Sequence, residues 1–214
     1  MLSCFINVAC RSTKLKVIFV ADIFGVTVEF EQLCQQITLE LEQNLALEQR
    51  AVVEFQMIGP YQKQPKSFAC EHDAYQYFSK NVGLASYVEK LAQQVSAISD
   101  CKLLVGFSVG GSAVWQLCAE NTFEQNLAAI CFYSSQIRHM TALTPSIPTR
   151  LILPAMEAHY PVAELAAELA IKSNVTIETS EFFHGFMNKL SANFDSNACQ
   201  YYIKRLTDLM LQQY

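Results

Sequence analysis

Short apolar runs alternate with amphipathic stretches along the chain, and this alternation predicts an α/β fold: a mostly parallel sheet with helices on both faces. Six runs read as strands: Leu15 to Val20, Ala51 to Met57, Lys102 to Gly106, Ala128 to Tyr133, Arg150 to Leu153 and Val175 to Thr179. Most are rich in Val, Ile, Leu or Phe, as strands covered on both sides require. Between them, Phe30, Leu33, Cys34, Ile37 and Leu41 recur at helical spacing, as do Leu84, Tyr87, Val88, Leu91, Val95 and Ile98. The same stripe returns in Val162, Leu165, Ala166 and Leu169, where Pro161 suits a first helical turn, and in Tyr202, Ile203, Leu206, Leu209 and Met210. The polar, aromatic-rich segment from Gly59 to Asn81 reads as one long connection, placed to border a binding site.

Composition narrows the class. With 214 residues, 51% of them hydrophobic, the chain is long enough for one domain over residues 1–214 with a sizeable core. No apolar run approaches the roughly 18 residues of a membrane span, and the apolar stretch Met1 to Cys10 lacks a basic n-region, so neither a span nor a secretion signal is expected. The 15 Lys and Arg against 20 Asp and Glu form no basic cluster, which argues against nucleic acid as a partner. Cys4, Cys10, Cys34, Cys70, Cys101, Cys118, Cys131 and Cys199 include no C-x-x-C pair, so zinc spacing is absent. Several fall on predicted buried faces, and inert thiols in a reducing cytoplasm are the simplest reading.

The chemistry gathers after the third strand, where Gly106-Phe107-Ser108-Val109-Gly110-Gly111 leads into a helix-compatible stretch with Ala113, Val114, Leu117 and Cys118. This is G-x-S-x-G between a buried strand and a helix, the context in which a serine is raised on a strained turn above a sheet. Such a serine needs a base, and the base an orienting acid, in the chain order Ser, acid, His. His72 and His139 come too early, His159 sits just before a helix start, and His184 follows the last strand in Phe182-Phe183-His184-Gly185-Phe186, where the base belongs. No Asp lies between Ser108 and His184. Among the glutamates there, Glu157 alone lies just beyond the carboxyl end of a strand, where sites of open α/β sheets gather, with Glu181 as its rival. The glycine pattern is not a phosphate loop or a dinucleotide fingerprint, and neither metal nor cofactor is expected.

Taken together, Ala21-Asp22-Ile23-Phe24-Gly25-Val26, the glycine-rich turn around Ser108, Phe132-Tyr133 and His184-Gly185-Phe186 resemble the dienelactone hydrolase family of α/β-hydrolases, in order and over nearly the whole chain. The resemblance implies a three-layer α/β-hydrolase fold. It implies an oxyanion hole from the amides of Ile23 and Val109, an acidic group at Asp22 near the nucleophile, and substrate contacts from Asp22, Phe24 and Tyr133. The name-giving enzymes carry Cys where this chain has Ser108, so a serine esterase is implied. Where the family carries Asp in a Gly-rich turn, this chain reads Leu153-Pro154-Ala155-Met156-Glu157-Ala158-His159. The arginines that hold a dienelactone carboxylate have no match. Arg138 and His139 are the candidates for an anionic substrate, with surface placement as the plainer expectation.

The expected activity is hydrolysis of a carboxylic ester, lactone or thioester of a small molecule through an acyl-enzyme on Ser108. At this length no separate cap domain is expected. The competing reading is a catalytically silent member of the fold that binds a ligand or protein.

Overall fold

A computed structural model describes residues 13–47, 51–62, 66–98, 101–123 and 127–211. The N-terminal stretch with Cys4 and Cys10 lies outside them. Each predicted strand is present, with ends moved by a residue or two: β1 (Thr13–Val20), β2 (Ala51–Ile58), β3 (Cys101–Phe107), β4 (Ala128–Phe132), β5 (Thr149–Leu153) and β6 (Val175–Thr179). All pair in parallel, in the order β2-β1-β3-β4-β5-β6. The predicted helical stripes form α1 (Val28–Leu47), α3 (Gly83–Ser96), α5 (Val162–Ala170) and α6 (Ser196–Leu211), and the stretch after Ser108 forms α4 (Val109–Glu120).

The segment from Gly59 to Asn81 departs from the reading as one connection: it contains α2 (Glu71–Asn81). Only Ala74 and Phe78 of this helix are buried, too few apolar positions to make a stripe. The signal lies in charge, with Glu71 and Asp73 in the first turn and Lys80 in the last, each at the end of the helix dipole it complements. A 3₁₀ turn, Ser135–His139, also falls outside the predicted elements.

Strand side chains divide by alternation between two cores. Val17 and Phe19 of β1, Leu103 and Val105 of β3 and Ile130 of β4 face α1 and α6 through Phe30, Ile37, Tyr202 and Leu206. Ile18 and Val20, Leu104, and Ala129 and Cys131 face the opposite layer, where Leu91 of α3, Trp115 of α4 and Leu165 of α5 pack. Helices α1 and α6 therefore cover one face and α2 to α5 the other, the three-layer arrangement expected. Cys34, Cys118, Cys131 and Cys199 are buried, and Cys70 is exposed. Among the described residues, no helix is long and apolar enough to cross a membrane.

Candidate active site

The strand order fixes where a site can form. From β1 the chain runs outward through α1 to β2, then returns across the other face to β3 on the far side of β1. The carboxyl ends of β1 and β3 flank the crevice where the two directions part. Ser108 immediately follows β3 with φ +52° and ψ −118°, a conformation rare for an L residue that costs about 1–3 kcal/mol. Close packing keeps it there. A Cβ on Gly106 would lie 2.5 Å from Cα of Gly111, and one on Gly110 would overlap the carbonyl oxygens of Val20 and Ala21. The Ser108 amide also donates to the Phe132 carbonyl at 2.9 Å, extending the link from β3 to β4 through the elbow.

His184 and Glu157 arrive on neighbouring loops. Beyond β5 and β6 the strand pairing continues, with Ser180 N–H donating to the Leu153 carbonyl and Ala155 N–H to the Phe182 carbonyl, both at 2.8 Å. Those bonds hold the Glu157 turn alongside the His184 loop. His184 Nδ1 lies 2.7 Å from Glu157 Oε1, and Nε2 lies 2.9 Å from Ser108 Oγ. A carboxylate at Nδ1 accepts a hydrogen bond from Nδ1–H and so favours the tautomer with its proton there, which leaves Nε2 as the acceptor for the serine hydroxyl. The ring packs against Tyr133, centroids 5.1 Å apart, and the His184 carbonyl accepts from Asn193 Nδ2 at 3.0 Å. Glu181 is exposed and makes no bond to the ring.

Ser108, Glu157 and His184 open on a cleft of about 400 Å³, and Ile23 and Val109 lie on its wall. Neither of their amides has a hydrogen-bond partner among the described residues, because Val109 opens α4 and Ile23 sits in the turn after β1. Asp22, Phe24 and Tyr133, expected at the substrate, are not on this wall. Asp22 is only 6% exposed, its Oδ1 accepting from Phe24 N–H at 2.9 Å and its Oδ2 from Asn188 Nδ2. Burial pushes its carboxyl up from 3.8 to about 6, against the two hydrogen bonds and the nearby His184 ring, while Glu71 adds to the rise. Phe24 is buried beside Phe68, and Tyr133 is buried beneath His184 with its hydroxyl unpartnered.

Other residues take the wall instead. Glu71, His72 and Tyr75 reach it from the first turns of α2, the helix that the apolar pattern does not reveal. Arg138 also faces the cleft: its Nη1 donates to the Ser135 carbonyl at 2.7 Å, its guanidinium lies 5.3 Å from the Tyr160 ring centre, and no described carboxylate pairs with it. His159 lies on the wall as well, whereas His139 is exposed and outside it. Among the described residues, no three His, Cys, Asp or Glu side chains are placed to hold a metal ion.

An all-parallel sheet in this order, with the strained serine turn after β3, is the α/β-hydrolase fold. The solved structures it is similar to include a dienelactone hydrolase-like promiscuous phosphotriesterase from metagenomic libraries, at TM-score 0.57 and 11% identity, covering 93% of this chain and 86% of that one. A protein assigned to the α/β-hydrolase superfamily from Xanthomonas campestris pv. campestris aligns at TM-score 0.56 and 14% identity, over 93% and 98% of the two chains. One assigned as a YdeN-like hydrolase from Pectobacterium atrosepticum aligns at 0.55 and 13%, over 94% and 92%. No protein-family model and no curated protein matches the chain.

Proposed function

We propose that this protein is a serine hydrolase that cleaves a carboxylic ester, lactone or thioester of a small molecule through an acyl-enzyme on Ser108. One observation carries the reading: the hydrogen-bonded series Ser108 Oγ, His184, Glu157, at 2.9 and 2.7 Å on a cleft wall, in the chain order of this fold. His184 Nε2 takes the hydroxyl proton as Oγ attacks the acyl carbonyl, and Glu157 stabilises the imidazolium formed. The amides of Ile23 and Val109 bind the developing oxyanion. His184 then returns the proton to the leaving group, and water, activated by the same ring, releases the acid. The hydrolase descriptions of the similar structures agree with this reading.

The cleft of about 400 Å³ is in the range of small-molecule sites, and its wall is made by the loops at the strand ends, the 3₁₀ turn and the start of α2, which fits one domain without a separate cap. The test is intact-mass and peptide analysis after exposure to a fluorophosphonate. The expected result is one adduct, on Ser108, because only a hydroxyl beside a base reacts readily with such a probe. A folded sample that takes no adduct and hydrolyses no p-nitrophenyl ester overturns the proposal in favour of a silent binding protein.

A further inference from the structure

Asp22 is a buried carboxylate that no described cation neutralises. Its two oxygens serve two different loops. Oδ1 accepts from Phe24 N–H, which closes the turn that presents the Ile23 amide, and Oδ2 accepts from Asn188, four residues beyond His184. Asn188 is fixed in turn: its amide donates to the Gly185 carbonyl at 2.8 Å, and its Oδ1 accepts from Leu190 N–H at 2.8 Å. The Ile23 carbonyl accepts from the Tyr61 hydroxyl, and the Ala21 carbonyl from the Tyr87 hydroxyl at 2.9 Å. With the turn so anchored, the bond from Asp22 to Asn188 ties it directly to the His184 loop.

From this geometry we infer that Asp22 is a positioning residue, clasping the turn that carries the oxyanion-binding amide of Ile23 to the loop that carries the base His184. The inference rests on the function proposed above. Asp22 does not touch the substrate, since its carboxylate is off the cleft wall. It acts by fixing the spacing between amide and imidazole, a spacing that matters because displacing reacting groups by about 1 Å costs on the order of 100-fold in rate. The pattern is directional: two acceptors at position 22, one donor and one acceptor at position 188.

The directionality supplies the test. Asp22→Asn sets one amide nitrogen against another unless it turns and gives up the Phe24 bond. Asn188→Asp sets two carboxylates face to face. The exchange Asp22→Asn with Asn188→Asp restores every bond: the new amide at position 22 accepts from Phe24 N–H and donates to the new carboxylate at position 188, which still accepts from Leu190 N–H. With p-nitrophenyl acetate as probe, each single variant is expected to lower kcat about 10- to 100-fold with KM little changed, and the exchange to recover most of the loss. For Asn188→Asp, the ratio of variant to wild-type kcat rises as pH falls, because one shared proton turns the repelling pair into a hydrogen bond. The groups facing this pair are Glu71 and His184, the hydroxyls of Tyr61, Tyr87 and Tyr133, and Glu29 across a small void, and the comparison with wild type at each pH corrects for them.

An exchange variant as slow as the singles, or singles with unchanged kcat, overturns the inference, as does a loss of melting temperature alone. Hydrogen exchange of the 21–26 and 184–190 segments reads the clasp without activity: both are expected to exchange faster in each single variant and to be protected again in the exchange. If wild type itself proves inactive toward ester and fluorophosphonate, it is the hydrolase reading that fails, and the hydrogen-exchange pattern alone decides the clasp.

Discussion

The carboxyl ends of β1 and β3 lie side by side, and each carries an acid-base group whose treatment differs. At the end of β3, Ser108 is held in a strained turn, opens on the cleft and is uncharged at rest, with its proton partner His184 backed by a carboxylate. At the end of β1, Asp22 is buried, has two hydrogen bonds and no cation, and is pushed up to about 6. Both places cost stability, one through backbone strain and the other through desolvated charge. The lesson is that two buried groups at neighbouring strand ends carry their cost in two forms: backbone strain on the cleft wall, desolvated charge off it.

The sharpest break in that comparison is at the elbow itself. Ser108→Ala is expected to lower turnover of p-nitrophenyl esters by about three orders of magnitude or more, while denaturant unfolding stays within about 1 kcal/mol of wild type. Unchanged turnover would sink the assignment of the nucleophile. Next comes the acid behind the base: Glu157→Gln should cost about 10²- to 10⁴-fold in kcat with the fold kept, because an amide cannot stabilise the imidazolium and can hold the wrong tautomer. Glu181→Gln, exposed and away from the ring, serves as the control, and the reverse ranking would reassign the acid.

At the β1 end the expected effect is on stability and runs with pH. Asp22 holds its proton more tightly folded, at about 6, than at its ordinary 3.8, so between these values the folded chain binds more protons than the unfolded one. The contribution is therefore complete below pH 3.8 and lost as pH rises through about 6, on the order of 3 kcal/mol in all. Measured as wild type minus Asp22→Asn, which cancels the other titrating groups, unfolding free energy should fall between about pH 4 and pH 7. A flat difference would mean that the buried carboxylate is better compensated than its two hydrogen bonds suggest.

Where the two ends touch, Gly110→Ala should destabilise the fold by about 1–3 kcal/mol or more, since its Cβ has only the backbone of Val20 and Ala21 to enter. The check is urea unfolding, and a neutral variant would show that β1 and α4 can part at no cost. The smallest effect is expected from Tyr133→Phe beneath His184. Removing a buried hydroxyl that has no partner should leave stability unchanged or raise it by up to about 1 kcal/mol, with esterase activity within a few-fold of wild type. A large activity loss there would give the hydroxyl a role that its contacts do not.

Much of this was legible from residue order. Alternating apolar runs give the strands because a parallel sheet covered on both faces needs continuous Val, Ile and Leu, and Gly106, Ser108 and Gly110 mark the elbow because only glycine permits such close backbone approach. Of the seven glutamates between Ser108 and His184, Glu157 follows β5 and Glu181 follows β6, so strand ends alone leave the two as rivals, and in the structure it is Glu157 that lies at the His184 ring. Helix α2 escaped because two buried side chains make no stripe, and with it went Glu71, His72 and Tyr75 on the cleft wall. Asp22 came from the family resemblance, which implied a substrate contact, and it is off the cleft wall. Its carboxylate bonds to Asn188, 166 positions along the chain, a bond that no local pattern announces. Periodicity and spacing are properties of neighbours in sequence and determine elements and their order. Which loops meet, which acid reaches which ring and which charge is buried depend on contacts between distant segments, and those only the folded chain decides.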